Sequence, residues 1–231
     1  ELCAKKRKKG ENMYEIDLNQ PKQIVADVLS NHQIDSVAFV GCGASMSELY
    51  PAKYFLANNT KTLNVQIFTA NEFNFDTPAW LGPNTFVITC SLGGGTPETV
   101  EANKVAKAAG APVVAITHAA GSALTKTEKM GYAIAVALEI LQQVEGYDHY
   151  DEMIEGLNNV FECAENAAQS VGKVAHAWAQ EHKDDDVIYF MGSGASVKVA
   201  YSTSSFLMME MQWVNSGNYN SGEYFHGPFE L

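Results

Sequence analysis

Two short segments carry residue types that can hold an anion. One is Gly41-Cys-Gly-Ala-Ser45-Met-Ser47 and the other is Ser91-Leu-Gly-Gly-Gly-Thr96. Gly43 and Gly94 leave backbone N–H groups open to a ligand, and Ser45, Ser47, Ser91 and Thr96 add hydroxyls. Each segment follows an apolar run and precedes a helical pattern, so each places its N–H groups at a helix N-terminus. Such a terminus carries roughly half a positive charge, which suits a phosphate. Glycines in such a loop can also serve only to make a tight turn. Neither segment is a Walker A loop, because no Gly-Lys-Ser/Thr follows, and neither carries the third glycine of a dinucleotide fingerprint.

Two further residues can move protons. Glu210 lies among Phe206, Leu207, Met208, Met209, Met211 and Trp213. A carboxylate desolvated there would have the raised pKa of a useful base, while the same residue on an exposed helix stripe would not. His226 precedes Gly227-Pro228, and Glu223 lies three residues before it. Glu223 can orient the imidazole or cap a turn, and a lone histidine can be structural.

The charge balance decides how an anion would be held. The net charge is −12, but five of the 15 basic residues form the run Lys5–Lys9. From residue 10 onward there are 10 basic and 26 acidic residues, a net of −16, and Arg7 is the only arginine. That balance disfavours nucleic acid, whose binding depends on Lys and Arg against phosphates. No apolar run is long enough to span a membrane. The four cysteines form no CxxC pair, which points to neither a zinc site nor a disulfide framework and fits a reducing, cytoplasmic compartment.

The elements that would position these residues alternate. Helical spacing covers 21–31, 46–57 and 97–109, and strand-like runs cover 36–40, 63–68, 85–90, 112–117 and 132–136. Strands joined by helices in this rhythm imply a parallel sheet with helices on both faces. Residues 1–13 read as a disordered basic tail and 14–147 as a first domain. A long helix over 148–182 leads to a strand at 186–191 and a helix at 197–213. Phe39-Val-Gly-Cys-Gly-Ala-Ser45 and Phe190-Met-Gly-Ser-Gly-Ala-Ser196 match at five of seven positions. That repeat predicts a second related domain over 148–231, cut short.

Taken together, 39–45, 91–99 and Ser221-Gly-Glu-Tyr-Phe-His-Gly-Pro228 resemble the sugar isomerase (SIS) family. Segments 141–151, 209–213 and 221–230 resemble its narrower group of bacterial deglycases that act on 6-phosphorylated Amadori compounds. The resemblance implies a three-layer αβα, flavodoxin-like parallel-sheet domain followed by an incomplete second one. It places phosphate-binding hydroxyls at Ser45, Ser91 and Thr96, the general base at Glu210 and an acid at His226. It implies release of glucose 6-phosphate and a free amino acid without metal or organic cofactor. It also implies a homodimer with shared sites, in which His226 can serve the neighbouring subunit. Gly93 stands where relatives often carry a further serine, and residues 132–141 look shorter than in relatives. The alternatives are an aldose–ketose isomerase or aminosugar-forming enzyme, and a sugar-phosphate sensor that does not react.

Overall fold

The computed structural model of the chain describes residues 16–117 and 126–230. The basic run Lys5–Lys9 and the expected tail lie outside the described residues. The chain divides into two compact units, Glu1–Ile154 and Glu155–Leu231.

The first unit is built on β1 (Ser36–Gly41), β2 (Asn64–Thr69), β3 (Thr85–Cys90) and β4 (Val113–Ile116). All four are parallel, in the order β2-β1-β3-β4. Every residue of β1 and β3 is buried. That matches their largely apolar sequences, as expected of interior strands covered on both faces. Side chains alternate across the sheet. On one face Ala38, Val40 and Val87 pack with Ala70 and Phe73 of α3 (Ala70–Phe75) and with Ala102 and Ala106 of α4 (Pro97–Ala108). The opposite face, bearing Val37 and Phe39, is covered by α2 (Gly43–Asn59), which packs on α5 (Lys126–Val144); α5 in turn packs on α1 (Asn19–Asn31).

The expected fifth strand at 132–136 is the middle of α5, so among the described residues this sheet has four strands. Tyr132, Ala133, Ala135, Val136, Ala137 and Leu138 are all buried. A helix buried nearly all round reads as a continuous apolar run, which periodicity cannot tell from a buried strand. Its Ala, Leu and Glu content settles the choice in favour of helix. Helix α5 is tied to the N-terminal segment by the Asp17 N–H, which donates to the Tyr132 hydroxyl (3.3 Å), and by Gln143 Nε2, which donates to the Lys22 carbonyl (3.1 Å). Gly131 permits that approach: a Cβ there would stand 2.2 Å from Ile16 Cδ1.

Helix α6 (Tyr150–His182) leads into the second unit. There β5 (Ile188–Gly192) and β6 (Ser216–Asn220) form a two-stranded parallel sheet. The segment expected as one helix over 197–213 is α-helical only in α7 (Val197–Ser202) and π-helical over Thr203–Glu210. The chain then reverses at Trp213, whose φ is 58°.

Candidate functional site

The two glycine loops meet because their strands are neighbours. Gly41 and Cys90, the last residues of β1 and β3, are register partners. Successive connections leave β1 and β3 in opposite lateral directions, so the loops flank the switch point where open parallel sheets bind ligands.

The first loop turns tightly from β1 into α2. A Cβ on Gly41 would come within 3.0 Å of the Met46 nitrogen and 3.3 Å of the Cys90 carbonyl oxygen, so only glycine lets the two backbones approach. Gly43 has φ +53°, a left-handed conformation that suits glycine. The Ser45 and Met46 N–H groups both donate to the Cys42 carbonyl, at 3.1 and 3.4 Å. Ser45 lies near enough to Cys90 to help lower the pKa of its thiol. Ser47 is buried, and its hydroxyl donates to the Gly43 carbonyl at 3.2 Å. Its proton is therefore committed to the first turn of α2, leaving only acceptor lone pairs for a ligand.

The second loop leaves β3 with the Ser91 N–H donating to the Ile116 carbonyl at 3.2 Å. Ser91 Oγ and Thr96 Oγ1 lie 2.9 Å apart, so the ends of the loop face each other. Gly94 sits at its crest with φ +69°, against Thr117, whose hydroxyl donates to the Leu92 carbonyl at 3.4 Å. Thr96 is the N-cap residue of α4, yet its hydroxyl points to Ser91 rather than capping the helix. Neither α2 nor α4 has a side-chain cap, so both helix starts depend on other partners for their first N–H groups. Thr99 on α4 ties the loops together by donating to Cys42 Sγ at 3.9 Å.

Three residues beneath the loops were not singled out by the sequence. Cys90 is 1% exposed, and burial pushes its thiol up to about 12. The nearby Lys129 ammonium pulls that value down, the Glu48 carboxylate raises it, and Ser45 lowers it. Glu48 on α2 and Lys129 on α5 form an ion pair whose side chains are each 4% exposed. Sequence carries no clear signal for this pair, since Lys129 lies in the polar first turn of α5 beside Lys126, Thr127 and Glu128.

The second unit holds the other candidates. Glu210 ends the π-helical segment and is exposed to solvent. Desolvation by its apolar neighbours is thus not observed: Met211 and Trp213 are themselves exposed, the latter at 91%, so they remove no water from the carboxylate. Ser221–Gly227 is a run of turns in which the His226 N–H donates to the Glu223 carbonyl at 3.0 Å. The two residues are therefore one turn apart, as their spacing implied. The imidazole of His226 and the carboxylate of Glu223 are exposed. Among the described residues no group of three His, Cys, Asp or Glu side chains is arranged to hold a metal ion, and no helix is long and apolar enough to cross a membrane.

Comparison with known proteins supplies the family. The SIS domain matches residues 32–147. Fructosamine deglycase FrlB of Bacillus subtilis (strain 168) is 36% identical over 231 residues, covering 93% of this chain and 70% of that protein. Fructoselysine 6-phosphate deglycase of Escherichia coli (strain K12) is 24% identical, and the chain spans 65% of its length. Among solved structures, a Salmonella typhimurium LT2 protein provisionally described as a phosphosugar isomerase superposes with a TM-score of 0.88 at 36% identity, covering 97% of this chain and 73% of that one. The chain, with its parallel sheet and its paired loops at the β1–β3 switch point, belongs to the SIS domain family.

Proposed function

We propose that this chain belongs to a deglycase that hydrolyses a 6-phosphorylated fructose–amino acid to glucose 6-phosphate and a free amino acid. The observation that carries the reading is the meeting of two hydroxyl-bearing loops at the ends of β1 and β3, in a family whose 36% identical relative is a fructosamine deglycase. In this reading Ser45, Ser91 and Thr96 hold the phosphate with backbone N–H groups near Gly43 and Gly94, and Ser47 stiffens the first turn of α2. Charge-assisted hydrogen bonds of this kind can replace the arginine that the body of the chain lacks.

Glu210 removes a proton from C1 of the open-chain ketosamine. The electron pair moves toward the C2 carbonyl, giving an enol-amine. Protonation at C2 then leaves an imine at C1, and water adds to that imine and expels the amino acid as an amine. His226 donates protons in ring opening or return, with Glu223 orienting its ring. An exposed Glu210 requires substrate or a neighbouring surface to exclude water during the proton transfer. The substrate carbonyl is the electron sink, so these steps ask for no metal or organic cofactor.

Residues 148–231 are proposed as part of a second SIS-like domain. The order β5–glycine loop–helix–β6, with parallel pairing, repeats β1–glycine loop–α2–β2. The proposal includes a cytoplasmic homodimer. The test is a coupled dehydrogenase assay for glucose 6-phosphate after incubation with 6-phosphofructose-aspartate and a panel of other phosphorylated fructose–amino acids. Release from at least one panel member supports the reading. No release from any of them, with the protein folded, contradicts it.

A further inference from the structure

The Glu48–Lys129 pair lies beneath the anion loops without being part of them. Its two side chains are almost fully buried and in ionic contact, one on α2 and the other in the first turn of α5. Removing two charges from water is costly, and their mutual attraction does not reliably exceed that cost. Stability is therefore a poor explanation for the pair, and the geometry it enforces is a better one.

That geometry concerns Ser45. Glu48 is three residues after Ser45 on α2, which puts both on one side of the helix. Helix α2 has no side-chain cap to fix its start. Cys90 ends β3 immediately before Ser91, and it is the register partner of Gly41, which opens the loop that carries Ser45. The ion pair and the Cys90 thiol are thus buried together beneath the loops, with Ser45 one turn before Glu48 on α2.

We propose that Glu48 and Lys129 are positioning residues of the anion site: their buried ion pair locks the opening turns of α2 against α5 and fixes where Ser45 points. This rests on the reading of Ser45, Ser91 and Thr96 as a phosphate site. Neither charged residue touches the phosphate. If the pair is replaced by apolar groups of similar volume, the fold can survive. The rotation of α2 is then no longer specified, and Ser45 loses its aim.

The experiment compares the wild-type chain, Ser45→Ala and the double variant Glu48→Met/Lys129→Met. Fructose 6-phosphate is titrated calorimetrically, with fructose as the unphosphorylated control, and amide hydrogen exchange is followed at residues 43–47. The proposal expects the double variant to bind fructose 6-phosphate at least about tenfold more weakly, with faster exchange at 43–47 and unchanged exchange in β1 and β3. Wild-type affinity in the double variant, alongside weakened binding in Ser45→Ala, overturns the positioning role and leaves the phosphate site standing. Failure of the wild-type chain to bind fructose 6-phosphate overturns the phosphate site and this inference with it. If the double variant does not fold, the side-chain nitrogen resonance of Lys129 in the wild type gives the answer. Its shift on addition of fructose 6-phosphate supports the coupling, and an unchanged resonance at saturation overturns it.

Discussion

Ser91 Oγ and Thr96 Oγ1 stand 2.9 Å apart at the two ends of one glycine loop. Among the described residues this is the side-chain hydrogen bond that the two hydroxyls make, and under the proposed function a phosphate would replace it with two charge-assisted ones.

Ser91→Ala and Thr96→Val should therefore each weaken binding of a sugar 6-phosphate. A hydrogen bond to a charged group contributes about 1.5–3 kcal/mol, which corresponds to roughly 10- to 100-fold in Kd. Binding of the unphosphorylated sugar should not change. Calorimetric titration of the two ligands checks this, and equal losses for both would point to general disruption instead.

Three glycines should respond differently to alanine. At Gly41 the new methyl meets backbone on both sides, at 3.0 Å from the Met46 nitrogen and 3.3 Å from the Cys90 oxygen. Gly41→Ala should cost about 1–3 kcal/mol as overpacking. At Gly94 the left-handed φ of +69° costs about 1–2 kcal/mol for alanine. At Gly95 nothing lies within 4 Å, and the change should stay within about 0.5 kcal/mol. Thermal unfolding ranks them, at roughly 2–4 °C per kcal/mol for a chain of this size.

Glu145 should shape the acid limb of stability. Burial alone would raise its pKa, but the hydroxyls of Thr60 and Thr62 and the N–H groups of Lys61 and Thr62 donate to its carboxylate and hold it at about 2, below the ordinary 4.5. These bonds join the end of α5 to the turn between α2 and β2. Because the folded pKa is depressed, the contribution is fully present above about pH 4.5 and is lost as pH falls toward 2. Glu145→Gln should lower the melting temperature at pH 7 and flatten its fall between pH 5 and 2. An unchanged slope would contradict the assignment.

Cys90 should resist alkylation in the folded chain. Its thiol, pushed up to about 12 by burial, has almost no thiolate at pH 8, and it is also shielded from solvent. Cys163 is exposed and Cys42 half-buried. Among the cysteines of the described residues, iodoacetamide at pH 8 followed by mass mapping should label Cys163 first and Cys90 only after denaturant is added.

The parallel sheet and both glycine loops are legible in the sequence because their signals are local. An apolar strand, a glycine turn, a hydroxyl and a helix start are contiguous in sequence, and β1 and β3 fall within a residue of their expected spans. Helix α5 reads as a strand in sequence because Tyr132–Val136 is buried nearly all round, which erases the helical period. Cys90, Glu48 and Lys129 were missed because they meet only through tertiary packing, across 81 residues in the case of the ion pair. The exposure of Glu210 was left undecided by its neighbours. Met209, Met211 and Trp213 are apolar in sequence but exposed in the structure, so their hydrophobicity does not translate into desolvation.

Glu210→Gln tests the proposed chemistry most directly, because it removes the base and keeps the shape. Turnover of 6-phosphofructose-aspartate, or of whichever panel member is cleaved, is read as glucose 6-phosphate released, and binding is read by calorimetry on the same protein. The expected result is turnover lost by at least about a hundredfold, in line with the usual contribution of a general base, with Kd nearly unchanged. Wild-type turnover in Glu210→Gln would contradict the assignment of Glu210 as the group that takes the C1 proton.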